Sequence, residues 1–134
     1  MAKNKFKLEI ITPHKQVLDE EVDYMMLRTT QGDMGVLYDH EPVVALLEYG
    51  AMRYKQGDLT KCVTIMGGFA EIKPDKVVIL TDASEFPKDI DLDRAKKAQQ
   101  KAQDLLKQQN IDRLKVEIAL KKALVRLHVK ETQT

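Results

Sequence analysis

The sequence predicts an α+β protein: an N-terminal antiparallel β-sandwich over residues 1–86, followed by a C-terminal antiparallel two-helix hairpin over residues 87–134. Three observations predict it. Apolar residues alternate with period two in several stretches of residues 5–82. Turn signals recur there, at Thr12-Pro13, Gly32-Asp33, Gly57-Asp58, Gly67-Gly68 and Pro74-Asp75. After Asp82 the apolar spacing changes to steps of three and four.

The first strand is KFKLEI, with Phe6, Leu8 and Ile10 on one face and Lys5, Lys7 and Glu9 on the other. YMML, residues 24–27, is apolar on both faces, as a strand covered on both sides would be. In AMRYK, Met52 and Tyr54 oppose Arg53 and Lys55. LTKCVTIM is a further strand, and FAEIK and KVVIL form a hairpin about Pro74-Asp75. Frequent turns without a long helical period between them favour a sandwich whose strands close their own core.

ASEFPKD, residues 83–89, is a connector, with Pro87 barring helix before it. The next stretch predicts a helix of about five turns on a stripe of Ala95, Ala98, Ala102 and Leu105. Asn110 ends it, and Asn110 or Asp112 is placed to cap the next helix. That helix carries Val116, Leu120, Ala123 and Leu127 on one stripe and Ile111, Leu114, Ile118 and Val125 on another. A very short turn makes the two helices antiparallel. Alanines bury little area at about 25 cal/mol per Å². The pair must therefore dock elsewhere, on the sandwich or on another protein, either permanently or as a movable element.

Composition narrows the function. The 134 residues carry 22 Lys and Arg against 21 Asp and Glu, a balance that does not advertise nucleic acid or an anionic membrane as partner. Cys62 is the single cysteine, so no internal disulfide is expected; it reads as a small buried residue in a reducing compartment. MAKNKFKLEI has no apolar h-region, and no apolar run approaches the roughly 20 residues of a membrane span. His14, His40 and His128 lack acidic or cysteine company at ligand spacing, so no metal is expected. No nucleophile motif appears, and no Gly-rich phosphate loop runs from a strand into a helix. No catalytic residue is expected.

One constellation stands out. Arg94 lies sixteen residues before Asn110 and Arg126 sixteen after it, which sets them level in an antiparallel hairpin. Lys122 lies one turn from Arg126, and Asp91 starts the first helix. Asp91, Arg94, Lys122 and Arg126 are therefore expected to converge at the open end, giving excess positive charge beside a helix N-terminus and a reasonable anion site. The plainer role of Asp91 and Arg94 is to cap the helix and complement its dipole. The last helix is basic, through Arg113, Lys115, Lys121, Lys122, Arg126 and Lys130, and suits an acidic surface.

Three segments together resemble the epsilon subunit of bacterial F-type ATP synthases. GDMGVLYDHEPVVALLEYG, residues 32–50, is similar to that family's signature, with Gly32, Gly35, Leu37, His40 and Pro42 in place. GGFAEIKPDKVVIL, residues 67–80, is similar to its hairpin, and IDLDRA, residues 90–95, to the adenine-nucleotide motif of several bacterial members. The resemblance implies a non-catalytic rotor subunit, peripheral on the cytoplasmic face of the bacterial membrane. Its sandwich would bind the gamma subunit and the ring of membrane c subunits. Its hairpin would move between a compact state and an extended one. Extended, Arg113, Lys115, Lys121 and Lys122 would approach the acidic segment of the catalytic beta subunits and restrain hydrolysis. ATP, as a regulatory ligand, would hold the compact state on Glu85, Ile90, Asp91, Arg94, Ala95, Lys122 and Arg126. Nucleotide-sensing members carry arginine where this chain has Lys122, which keeps the charge and loses the planar fork. The competing reading is a free-standing β-sandwich adaptor whose basic hairpin binds an acidic protein.

Overall fold

The computed structural model describes residues 4–132; the outermost ends of the two expected regions, at residues 1–3 and 133–134, lie outside them. Among the described residues nine strands precede two helices. The strands are β1 (Phe6–Ile11), β2 (Gln16–Val22), β3 (Tyr24–Thr29), β4 (Gly32–Val36), β5 (Val43–Leu46), β6 (Tyr49–Gln56), β7 (Leu59–Met66), β8 (Phe69–Ile72) and β9 (Lys76–Leu80); the helices are α1 (Leu92–Leu106) and α2 (Arg113–Thr132). A 3-10 turn, Pro87–Asp89, joins the two parts, with Pro87 at its first position, where a missing N–H costs nothing.

The strands form two sheets, ordered β2-β1-β9-β8-β5 and β4-β3-β6-β7. Neighbours pair antiparallel, with one exception: β1 runs parallel to β9, Leu8 opposite Val77. Parallel partners cannot be joined by a tight hairpin, and here the rest of the sandwich separates them. The period-two pattern becomes the core. Phe6, Leu8 and Ile10 point inward against Met25, Leu27, Met52, Tyr54, Val63 and Ile65 of the other sheet. Each such aliphatic side chain contributes about 1.5–3 kcal/mol on burial, an upper estimate because unfolded chains already bury some surface. Between β7 and β8, Gly68 holds φ +99°, and a Cβ there would strike the Leu80 carbonyl.

β7 is buried on both faces from Cys62 to Met66. Val63 and Ile65 face the sandwich core. Cys62 lies on the opposite face, covered by Ile90 and Val129, with Ala51 and Val125 beside them. Here the hairpin docks: α2 lies between α1 and the four-stranded sheet and touches β6 and β7.

The first helix is shorter than its apolar spacing suggests. α1 ends at Leu106, because Lys107 N–H bonds back to Asp104 and Leu105 carbonyls and Gln108 N–H to Leu105, a tightened last turn. Gln108 and Gln109 thus belong to the connection, which Asn110 closes at φ 59°. Asp112 is the cap of α2, accepting from Lys115 N–H at 3.3 Å. The expected alanine stripe is also corrected. Ala95 and Ala102 are buried but Ala98 is exposed, and Gln99 is half-buried in its place. On α2, Ala123, Leu127 and Val129 are buried, whereas Leu114 stays 70% exposed.

Candidate functional site

The site lies where the connector after β9 runs beside α2. Glu85 is fixed first by its backbone. Its N–H donates to the Thr64 hydroxyl at 2.9 Å, and Thr64 N–H donates to the Glu85 carbonyl, also at 2.9 Å. Thr64 is fully buried on β7, so this pair ties the connector to the sheet edge. The Glu85 carboxylate then accepts from Arg126 Nε at 2.7 Å. Lys122, one turn earlier on α2, reaches Asp82 at 3.7 Å. Lys130, one turn later, donates to the Pro87 carbonyl at 2.8 Å.

These three contacts form a ladder. Cations at i, i+4 and i+8 of one helix face meet acceptors at 82, 85 and 87 of the connector, in the same order. Four helical residues rise about 6 Å, close to the roughly 6.6 Å that the two residues from 85 to 87 would advance if extended; the three-residue step from 82 to 85 is longer. Arg126 and Glu85 are about one-third exposed, and Asp82 is well solvated. Each contact is therefore a modest attraction, on the order of 1 kcal/mol or less.

The remaining expected residues take other positions. The Asp91 side chain accepts from Arg94 N–H at 3.1 Å and caps α1. The Arg94 side chain is exposed, and among the described residues no hydrogen bond or ion pair joins Asp91 or the Arg94 side chain to Lys122 or Arg126. Ile90 is buried against Cys62 and Val129, and Ala95 is also buried. Lys122 and Arg126 turn instead to the connector acids Asp82 and Glu85. Asp82 was absent from the expected set. Its sequence signal is an acid three residues before Glu85, matching cations four apart on α2.

Of the basic residues expected to face an acidic partner, Lys115 and Lys121 are exposed and Lys122 is half-buried. Arg113 has a local role besides: its guanidinium donates to the Leu106 carbonyl at 3.4 Å, a weak bond at the negative end of α1. Burial pushes the Cys62 thiol up, against smaller opposing effects of Thr132 and Arg53. No helix of the described residues is long and apolar enough to cross a membrane.

Comparison with known proteins places this geometry in a family. Residues 5–87 match the family described as ATP synthase, Delta/Epsilon chain, beta-sandwich domain, and residues 88–131 match its long alpha-helix domain. The ATP synthase epsilon chain of Syntrophobacter fumaroxidans is 44% identical over 130 residues, covering 95% of this chain and 96% of that one. The epsilon chain of Halalkalibacterium halodurans is 41% identical over 125 residues, covering 91% and 94%. Among solved structures, a chain of the Euglena gracilis mitochondrial ATP synthase complex, OSCP/F1/c-ring, superposes with a TM-score of 0.79 at 28% identity, covering 96% of this chain and 81% of that one. A chain of the Tetrahymena thermophila mitochondrial ATP synthase central stalk and c-ring shares the fold, with a TM-score of 0.62 at 14% identity, covering 97% and 96%. The chain belongs to the family of ATP synthase epsilon chains.

Proposed function

We propose that this protein is a non-catalytic central-stalk subunit of a proton-translocating F-type ATP synthase, held at the cytoplasmic face of the bacterial membrane through its complex. It couples rotation to the ring of c subunits and restrains ATP hydrolysis through its hairpin. The observation that carries the reading is the light attachment of that hairpin. Small apolar contacts around Cys62 and three polar contacts of modest strength hold it on the sandwich. An element held this way is suited to leave and return.

The sandwich supplies the fixed part. Ile11, Leu80, Phe69 and Leu46 sit directly opposite one another across β1, β9, β8 and β5. Leu46 is 63% exposed, and Phe69 and Leu80 are exposed beside it. Such an apolar row suits a permanent partner, here the gamma subunit. When the hairpin extends, Arg113, Lys115, Lys121 and Lys122 meet the acidic segment of the beta subunits. ATP opposes that movement by occupying Glu85, Ile90, Asp91, Arg94, Ala95, Lys122 and Arg126 in the compact state. The phosphates would take Arg94 together with Lys122 and Arg126, drawing the last two from Asp82 and Glu85. Affinity purification of the tagged chain from its own cells tests the role. It should bring down a multi-subunit ATPase whose hydrolysis rises when the hairpin is deleted. Recovery of an unrelated acidic protein without ATPase would favour the adaptor reading.

A further inference from the structure

α2 covers only part of the four-stranded sheet. It touches β6 and β7, and toward β3 a cleft of about 560 Å³ opens beside it. One wall is the sheet, with Met26, Arg28 and Arg53; the other is α2, with Lys121, Leu124 and His128. The floor is low because β6 carries Gly50 and Ala51 there. A Cβ on Gly50 would come within 3.1 Å of Arg28 Cδ, so the missing side chain lets Arg28 lie across the strand. None of the seven residues assigned to ATP lines this cleft, which opens on another face of α2.

The lining combines two chemistries. Leu124 is 44% exposed and Met26, Tyr49 and Val125 are half-buried, so apolar surface remains uncovered. Around it stand Arg28, Arg53 and Lys121, with His128, against Asp33 and Glu48. Asp33 is already engaged by Arg28 at 3.4 Å. Among the described residues neither Arg53 nor Lys121 forms an ion pair. A volume of this size is typical of small-molecule sites.

We propose that the cleft binds a small amphipathic anion, an aromatic or aliphatic body with a single carboxylate, sulfonate or phosphate head. The body lies on Met26, Leu124 and Val125, and the head meets Arg53 and Lys121. Because one wall belongs to the sandwich and the other to α2, the ligand bridges them and holds the hairpin docked. Binding needs only the docked hairpin and does not depend on the role in ATP synthase or on the ATP site.

Naphthalene-2-carboxylate is a suitable probe for the full chain in solution. NMR titration should give saturable shifts at Met26, Arg53, Leu124 and His128, and bound probe should slow trapping of the Cys62 thiol. The neutral carboxamide should bind about tenfold more weakly, because a charge-assisted contact is lost. Arg53→Gln with Lys121→Gln should weaken the carboxylate to the same degree, and Lys121→Arg should retain it. Both positions lie outside the apolar core, and the unchanged NMR spectrum of the remaining sandwich confirms folding. Equal binding of acid and amide overturns the proposal. So do shifts confined to Leu46, Phe69 and Leu80, absence of saturation at about millimolar probe, or binding that leaves Cys62 trapping unchanged.

Discussion

Val129→Ala should raise the trapping rate of the Cys62 thiol about thirtyfold without unfolding the sandwich. Val129 is fully buried on α2, packed with Ile90 over Cys62, which is itself 4% exposed. The substitution removes two methyl groups at about 0.8 kcal/mol each, and a small cavity adds a few tenths. A loss of about 2 kcal/mol shifts the docked-to-undocked equilibrium about thirtyfold, at 1.4 kcal/mol per factor of ten. While docked, the thiol is protected twice: α2 blocks access, and burial raises its pKa and suppresses the reactive thiolate. The assay follows reaction with an aromatic disulfide at fixed pH, in urea concentrations below the unfolding transition. Glu85→Gln should act in the same direction by fivefold or less, since its ion pair is worth about 1 kcal/mol at most. If the hairpin undocks by itself, the rate should depend weakly on urea, because little surface is exposed. A rate that climbs with urea as steeply as global unfolding would rule out independent undocking, because Cys62 would then open only when the whole protein does.

Asp91→Ala or Arg94→Ala should reduce ATP affinity in calorimetric titration while leaving the sandwich folded, and Lys122→Arg should increase it by restoring the planar fork. Reversing the charge of Arg113, Lys115, Lys121 and Lys122 together should relieve restraint of hydrolysis in the assembled enzyme. That restraint should also weaken with salt, since exposed charges are screened within about 8–10 Å at physiological ionic strength. Tyr54 is buried and its hydroxyl lacks a partner among the described residues. Burial, aided by Glu20, raises its pKa from the ordinary 10.0 to about 12. The folded state therefore holds this proton longer than the unfolded chain, so stability falls as pH rises from 10 toward 12. Tyr54→Phe should remove that alkaline loss, read as a higher pH midpoint of unfolding at fixed urea.

The strands were legible wherever one face meets the core. KFKLEI alternates, and Phe6, Leu8 and Ile10 are the buried residues of β1. Pro74-Asp75 marked a hairpin, and β8 and β9 do pair across it, Ile72 opposite Val77. Sheet membership was not legible, because the parallel pairing of β1 with β9 joins segments far apart in sequence and leaves no local mark. The alanine stripe was misplaced by one position, because Ala98 carries too little apolar surface to distinguish the inner face from the outer. At the candidate site, Asp91 as a cap followed from local spacing. The pairing of Lys122 with Asp82 did not, since it depends on where the hairpin docks. LTKCVTIM hinted at that docking. Cys62 and Met66 lie on the face opposite Val63 and Ile65, and both faces are buried.

Titration calorimetry of ATP into the whole chain asks whether the nucleotide holds this hairpin on the sandwich, as proposed above. The expected result is saturable binding of one nucleotide per chain, with Cys62 trapping slowed in proportion to the occupied fraction. A ligand bound only by the docked form adds about 2.7 kcal/mol at one hundred times its Kd, so trapping through undocking should slow about a hundredfold there. No heat at about millimolar ATP, or binding that leaves Cys62 trapping unchanged, would contradict it and leave Asp91 and Arg94 as a helix start.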